Sequence, residues 1–381
     1  MKLLFFEWNA FMQKDIEKIL FSHPGLETDC ISYEFKNPDE DELFVKLFPA
    51  KLLAQKYDAV FSVNFFPLVS DICEKFNIPY ISWVYDAPMN VRKVSSIANH
   101  VNKIYVFDKG QYKDLKSKGF DTVFHKPLGV NTSKIKEILS EHKDIAPNFL
   151  CDISFVGRLY NSDFEYLTGP LPVELQKQLN DLTEEQLNTY GSFFLDKLLT
   201  PEYMDRLNFY YSKAGISKPV LKEELLFALS TEVTHRERIR ALKLLSDRFP
   251  VTLYSFESDS QLHNIIKKDA VNYYTEMPLV FAGSRINLNI TLKIIKTGIP
   301  LRVFDILGAG GFLLSNWQQE LDEYYTDGTD VVMYKSLNEL VNKAEFYLSH
   351  EDERRNIAVN GHIKTHKLFE LDKMLSEILN L

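Results

Sequence analysis

The chain has 381 residues, a length for about two domains. Apolar residues make up 45% of it, enough for two cores, which excludes wholesale disorder. A net charge of −9 excludes a general nucleic-acid binder, which needs a basic field, and still leaves room for a local basic pocket.

The opening run, MKLLFFEWNAF, reads as a first strand rather than a signal peptide, because Glu7 and Asn9 break the apolar stretch. No run approaches the ~20 apolar residues of a membrane span, so no transmembrane segment is expected. Cys30, Cys73 and Cys151 are far apart and odd in number. They show no disulfide or zinc spacing and read as reduced thiols of a cytoplasmic protein.

Leu3–Phe6 is a predicted strand, and Ala10–Phe21 a helix with Ile16, Ile19 and Leu20 on its apolar side. Strands follow at Cys30–Phe35, Ala59–Val63, Tyr80–Tyr85, Lys103–Phe107 and Val123–His125. Helices at Asp41–Lys56, Leu68–Phe76 and Gln111–Lys118 alternate with them. This alternation predicts a parallel sheet with helices on both faces. Ligands of such sheets lie at the carboxyl ends of the strands. Here those ends are Glu7-Trp8-Asn9, Asn64-Phe65-Phe66-Pro67, Asp86-Ala87-Pro88, Asp108 and Gly129-Val130-Asn131.

Two acids stand out in this half. Asp15 reads as a carboxylate near the ligand or as a first-turn helix acid. Asp86 directly follows the apolar run YISWVY and reads as a functional acid or as a turn aspartate before Pro88. Asp39-Glu40-Asp41 is formally a D-x-D, yet it lies in the acidic run PDEDE that opens a helix, so no metal site is expected there.

A linker spans Ser140 to Asn148, and a second αβ domain opens with the strand Cys151–Val156. Gly157 and Arg158 follow it: glycine permits close backbone approach and arginine offers an anion fork. From Tyr160 to Leu245 the chain is helical and broken by Pro170, Pro172, Gly191, Pro201, Gly215 and Pro219, as an insertion would be. An amphipathic helix runs from Thr234 to Phe249; His235 on it either reaches a ligand or sits on an exposed face of mixed charge.

The αβ pattern resumes with strand Val251–Ser255, helix Gln261–Lys267 and strand Val271–Tyr274. In RINLNIT, Asn287 and Asn289 share one face of a strand that should be apolar on both. Buried amides need partners, either a polar ligand or a neighbouring loop. Thr297–Asn316 then reads as loop, short helix, glycine turn and strand. Pro300 suits the first helical position, and the N–H groups from Leu301 onward are free to hold a phosphate. Arg302 lies in the first turn, where a cation wants an anion, and Asp305 is three residues on. Either a site for a charged, hydroxyl-bearing ligand or a plain Arg–Asp i,i+3 pair accounts for this. Strand Val331–Tyr334 and helices Leu337–Leu348, Glu351–Lys364 and Phe369–Leu381 complete the chain.

Several of these runs are recognisable. NLNITLKIIKTGIPLRVFDILGAGGFLLSN, with ELDEYY, DVVMY and SLNELVNKAEFYLSHEDERRNIAVNG after it, resembles the glycosyltransferase domain of CgeB-like (spore-maturation) proteins. VFSVNFFP, YISWVYDAP and YVFDKGQY resemble its N-terminal companion, and CDISFVGRLY the opening strand of the second domain. The resemblance implies an α/β protein of GT-B fold, two Rossmann-like domains facing a cleft, with a helical insertion in the second. Residues 1–145 would be the acceptor-side domain and 150–360 the nucleotide-sugar domain, with the insertion at about 161–229. Residues 361–381 would be a C-terminal helix that packs back on the first domain.

The resemblance also implies a glycosyltransferase of glycan biosynthesis. Its donor would be a nucleoside diphosphate sugar, a UDP-sugar first among them, with no further cofactor and no metal. Its acceptor would be a glycan, a protein or a small molecule, and no nucleic acid. Gly157 and Arg158 would approach the diphosphate, with the N–H groups of the helix at Pro300 and Leu301 and with Arg302. Asp305 falls where related enzymes carry a ribose-binding glutamate, and Thr297 where they carry one for the donor sugar. Tyr273 or Tyr274 would pack on the base, and Asn287 and Asn289 would line the same site. An inverting reaction needs a base on the first domain, Asp86 or Asp15; a retaining one can use the leaving phosphate. A GT-B nucleotide-sugar epimerase, a phosphorylase, and a non-catalytic nucleotide-sugar-binding or structural protein are the other readings.

Overall fold

Alternating strands and helices build two six-stranded sheets in which every strand pair is parallel. The computed structural model describes residues 1–8, 10, 12–37, 39–89 and 91–381. Asn9 and Phe11 of the first two predicted elements, and Pro38 of the acidic run, lie outside the described residues. The chain divides into two units, one of residues 1–131 with 369–381, the other of residues 132–368.

The first unit runs β1 (Lys2–Glu7), α1 (Gln13–Ser22), β2 (Glu27–Ser32), α2 (Glu42–Ala54), β3 (Ala59–Val63), α3 (Pro67–Phe76), β4 (Tyr80–Val84), β5 (Asn102–Val106), α4 (Lys109–Ser117) and β6 (Val123–His125). Its strand order is β2-β1-β3-β4-β5-β6. The central strands AVFSV and YISWV are buried at every position, as helices on both faces require. The edge strand β2 starts at Glu27, three residues before the predicted Cys30, because an edge strand with one open face lacks a continuous apolar run. Asp41 caps α2: its carboxylate accepts the Phe44 N–H at 3.0 Å and the Tyr33 hydroxyl at 2.8 Å.

The second unit opens with α5 (Thr132–Glu141) and β7 (Cys151–Val156). Five helices follow: α6 (Phe164–Thr168), α7 (Val173–Leu187), α8 (Leu195–Leu198), α9 (Pro201–Lys213) and α10 (Lys222–Ser246). Then come β8 (Val251–Tyr254), β9 (Ile266–Lys268), α11 (Met277–Gly283), β10 (Ser284–Asn289), α12 (Leu301–Gly308), β11 (Leu313–Asn316), α13 (Gln319–Tyr324), β12 (Val332–Tyr334), α14 (Leu337–Ser349) and α15 (Glu351–Phe369). The strand order is β12-β11-β10-β7-β8-β9. Residues 271–274 form no strand; the edge strand is the exposed Ile-Lys-Lys of β9, which overlaps the end of the predicted helix Gln261–Lys267. Lysines on an edge strand discourage further pairing, and they hide the strand from an apolar pattern.

The inserted helices carry a core of their own around Leu175, Leu179, Leu207, Tyr211, Leu225 and Leu229. Ion pairs fasten α7 to α10. Glu184 accepts from Arg240 at 2.7 and 2.8 Å and from Arg236 at 2.7 Å, and Arg236 also donates to Glu232 at 2.6 Å.

The chain returns to the first unit at its end. The Val130 N–H donates to the Phe369 carbonyl at 2.9 Å, and the Leu371 N–H to the Val130 carbonyl at 3.0 Å. Helix α16 (Leu371–Leu379) buries Leu371, Met374, Leu375, Ile378 and Leu379. Among the described residues no helix is long and apolar enough to cross a membrane.

Candidate functional site

The stretch from Thr297 folds as loop, helix, turn and strand, with one shift of register. Pro300 is the cap of α12, with φ −70° and ψ 155°, and Leu301 is the first helical residue. Arg302 lies in the first turn, 29% exposed, and its guanidinium donates to Asp305 Oδ2 at 3.4 Å and to the Met277 sulfur. It also stands 5.4 Å from the Phe281 ring centroid. Asp305, buried, accepts the Tyr273 hydroxyl at 3.0 Å. The i,i+3 pair is therefore made, and Tyr273 is the tyrosine that reaches α12. Tyr274 packs edge-to-face on Tyr273, ring centroids 5.0 Å apart.

The two amides of β10 are taken up inside the protein. Asn287 is fully buried, accepts the Ser154 hydroxyl at 2.9 Å and donates to the Phe281 and Phe312 carbonyls at 3.0 and 3.3 Å. Asn289 donates to Thr291 at 3.1 Å and Ser315 at 2.9 Å. Asn287 thus satisfies neighbouring strands and a helix end, and the structure does not bring it to α12's first turn. The glycine at 311 answers the same packing: a Cβ there would stand 2.6 Å from Asn287 Nδ2 and 2.7 Å from the Phe281 carbonyl.

The turn after β7 folds around Glu257. Gly157 holds φ at +156° and donates its N–H to the Tyr254 carbonyl at 3.1 Å. Glu257 accepts the N–H groups of Leu159 and Tyr160 on one oxygen and Arg158 Nε at 3.2 Å on the other. Arg158 is otherwise open, its side chain 74% exposed.

Helix α10 supplies residues that sequence reasoning missed. Buried Arg238 donates to two backbone carbonyls, Arg158 after β7 and Ile290 after β10, and so ties together the loops at two adjacent strand ends. Its guanidinium lies 5.1 Å from the Phe155 ring and 4.6 Å from the Tyr160 ring. Burial pushes it down to about 10. His235, not on an open face, donates Nδ1–H to the Leu159 carbonyl at 3.1 Å. Glu237 has no exposed surface and accepts the Tyr190 hydroxyl from the insertion at 3.0 Å. Burial pushes the Glu237 carboxyl up, opposed chiefly by the charge of Lys293. Lys293, just beyond β10, is buried too, its ammonium 4.8 Å from the Tyr190 ring. Burial pushes it down, and Glu237 opposes that. The only outward signal of this cluster was the charge-rich THRERIR, which reads equally as a solvated helix face. Burial of α10 on both sides, by the sheet and by the insertion, converts two of those charges, Glu237 and Arg238, into interior ones.

At the carboxyl ends of β7 and β10, two buried cations, Arg238 and Lys293, thus face one buried carboxylate, Glu237. An uncompensated interior cation favours an anionic ligand beside it. A separate cavity of about 270 Å3 lies along α10, lined by Glu232, His235, Arg236, Ile239, Arg240 and Gln261. Its arginines are spent on the ion pairs with Glu184 and Glu232.

In the first unit, Asp86 follows β4 and is open to solvent; Asn64 Nδ2 donates to its Oδ2 at 2.7 Å. Surrounding protein raises its carboxyl, opposed by that hydrogen bond. Asp15 is buried in the first turn of α1, with Asn131 donating to it at 3.3 Å. Trp8 closes the core edge: its indole donates to the Val63 carbonyl at 2.6 Å and its ring meets Phe66 edge-on.

Residues 234–380 match a family model described as glycosyl transferase-like. No curated protein matches the chain by sequence. Several solved structures align over its whole length. Anabaena Alr3699/HepE, in complex with UDP and glucose, is 10% identical with a TM-score of 0.52, over 100% of this chain and 98% of that one. Sucrose-phosphate synthase of Thermosynechococcus elongatus is 9% identical with a TM-score of 0.56, over 100% and 98%. A glycosyltransferase from Rickettsia africae ESF-5 is 11% identical with a TM-score of 0.53, over 100% and 97%. These likenesses give the fold, GT-B, and the family match makes residues 234–380 similar to a glycosyl transferase-like domain.

Proposed function

We propose that this GT-B protein transfers a sugar from a nucleoside diphosphate sugar to an acceptor hydroxyl. The observation that carries the reading is the interior charge at the ends of β7 and β10, two cations against one carboxylate. A UDP-sugar is the proposed donor, since HepE of the same fold is crystallised with UDP-glucose. A place near the CgeB-like group goes with it, on the runs around α12 and β11. Charge grows on the leaving diphosphate as the glycosidic bond breaks. Fixed cations and N–H groups aimed there stabilise the transition state without having to reorganise. Arg158, Arg238, Lys293, Arg302 and the first N–H groups of α12 are the proposed donor-side groups, which would make a metal unnecessary. Asp305, held by Tyr273 and Arg302, is the proposed ribose acceptor group.

On the acceptor side, Asp86 is the proposed base for an inverting transfer. It is open to solvent at the carboxyl end of β4, and the surrounding protein raises its carboxyl. Asp15, buried in a helix first turn, is the lesser candidate. A cytoplasmic location suits the reading, as the three cysteines stand unpaired. A thermal-shift screen of nucleotide-sugars tests it. A UDP-sugar should raise the melting temperature, and at a concentration of 100 Kd the gain is about 2.7 kcal/mol. No shift with any nucleotide-sugar overturns it.

A further inference from the structure

We infer that Asn64 is a positioning residue that presents the Asp86 carboxylate for proton acceptance; the inference rests on the reading of Asp86 as the base. Asn64 directly follows β3 and has φ 64°, in the left-handed region that non-glycine residues avoid and asparagine tolerates best. Its own N–H donates to the Trp83 carbonyl at 2.9 Å, so β3–β4 pairing continues to this residue. The left-handed turn then directs the side chain across to the end of β4. There the amide makes three hydrogen bonds. Oδ1 accepts the N–H of Tyr85 at 2.7 Å and that of Asp86 at 3.3 Å, and Nδ2 donates to Asp86 Oδ2 at 2.7 Å.

One side chain thus grips both the backbone and the carboxylate of Asp86. Asn64 is itself 8% exposed, so water competes little for these bonds. With Oδ2 held, and Oδ1 taking no hydrogen bond among the described residues, the free oxygen has a fixed direction toward an incoming hydroxyl. The amide also favours the ionised carboxylate, because it donates to the charged form. Other charged groups stand at neighbouring strand ends. Asp108 follows β5 and caps α4 through the Gly110 N–H, Glu7 ends β1, and Lys93 beyond β4 is paired with Asp71. The influences on Asp86 are the surrounding protein, which raises its carboxyl, and Asn64, which lowers it.

Two substitutions separate this role from packing. Asn64→Gly keeps the left-handed backbone and deletes the amide. Asn64→Asp keeps the shape and the two accepted N–H bonds, and sets a like charge against Asp86. The Asp86 carboxyl is titrated by carbon-13 NMR in the full chain without ligand. Its pKa should rise in both variants, by about one unit or more in Asn64→Asp. UDP release from the UDP-sugar chosen by thermal shift should then show the acid limb of kcat displaced upward by the same amount, with the donor KM unchanged. An Asp86 titration that neither variant moves overturns the inference, whatever their melting temperatures. Asp86→Asn is the separate control: if it turns over near wild type, the reading of Asp86 as base fails. If it is inactive while the Asn64 variants titrate as wild type, only the positioning role fails.

Discussion

The Thr297 hydroxyl donates to Glu320 Oε1 at 2.9 Å, and the Glu320 N–H donates back to the Thr297 carbonyl at 3.0 Å. Glu320, on α13, has no exposed surface. Where the resemblance leads one to look for a glutamate at 297, the chain holds a threonine already bonded to a glutamate from elsewhere. A glutamate at 297 would set a second carboxylate against the buried Glu320. Thr297→Glu should therefore melt several degrees lower than wild type at pH 7, and Thr297→Glu with Glu320→Gln should recover much of the loss. Melting curves of the two variants decide it; equal destabilisation in both would show the fault to be steric.

Lys293 and Glu237 are expected to part company in their effects. Lys293→Met keeps the chain length and removes the charge, leaving Glu237 buried without its main counter-charge. The melting temperature should fall, because the charge that chiefly opposes the cost of burying the Glu237 carboxylate is gone. Adding Glu237→Gln should restore the melting temperature while UDP affinity, read by calorimetry, stays at least about tenfold below wild type. Full recovery of affinity would make Lys293 a structural partner of Glu237 and nothing more.

The anchorage of the insertion should depend on pH. Hydrogen bonds from Arg240, then Arg236, hold the Glu184 carboxyl below its ordinary value of 4.5. A depressed acid stabilises the folded chain above that ordinary value, and the gain is lost as pH falls through the lower folded value. Glu184 is about a third exposed, so screening limits the gain to about 1 kcal/mol or less. Glu184→Gln should melt roughly 2 °C lower at pH 7, and the difference should shrink steadily as pH falls below 4.5. A difference that persists at the acid end would assign the effect to packing.

Most of the sheet architecture was legible because apolar runs such as AVFSV and YISWV can be only buried parallel strands. The edge strands β2 and β9 were misplaced for the complementary reason, as an edge needs no continuous apolar run. At the candidate site, the Arg302–Asp305 pair was legible from spacing alone. Asn287 was not: an unpaired strand amide looks the same whether it waits for a ligand or for Ser154, and Ser154 is 133 positions away. Arg238, Glu237 and Lys293 were hidden more deeply. Their burial is a property of what covers α10, and the covering insertion has little periodicity of its own to reveal where it lies.

The return of the chain to its first unit has a consequence for synthesis. Gly129 lies so close to Phe369 that a Cβ would stand 3.1 Å from the Phe369 carbonyl, and Val130 exchanges hydrogen bonds with the segment leading into α16. On the ribosome, residues 1–131 emerge long before residues 369–381, with the whole second unit made in between. The first sheet can pair early, but the surface that α16 covers waits, apolar and unshielded, until residues 369–381 have followed the second unit. Nascent chains of this protein are therefore most in need of a holding chaperone while the second unit is being made.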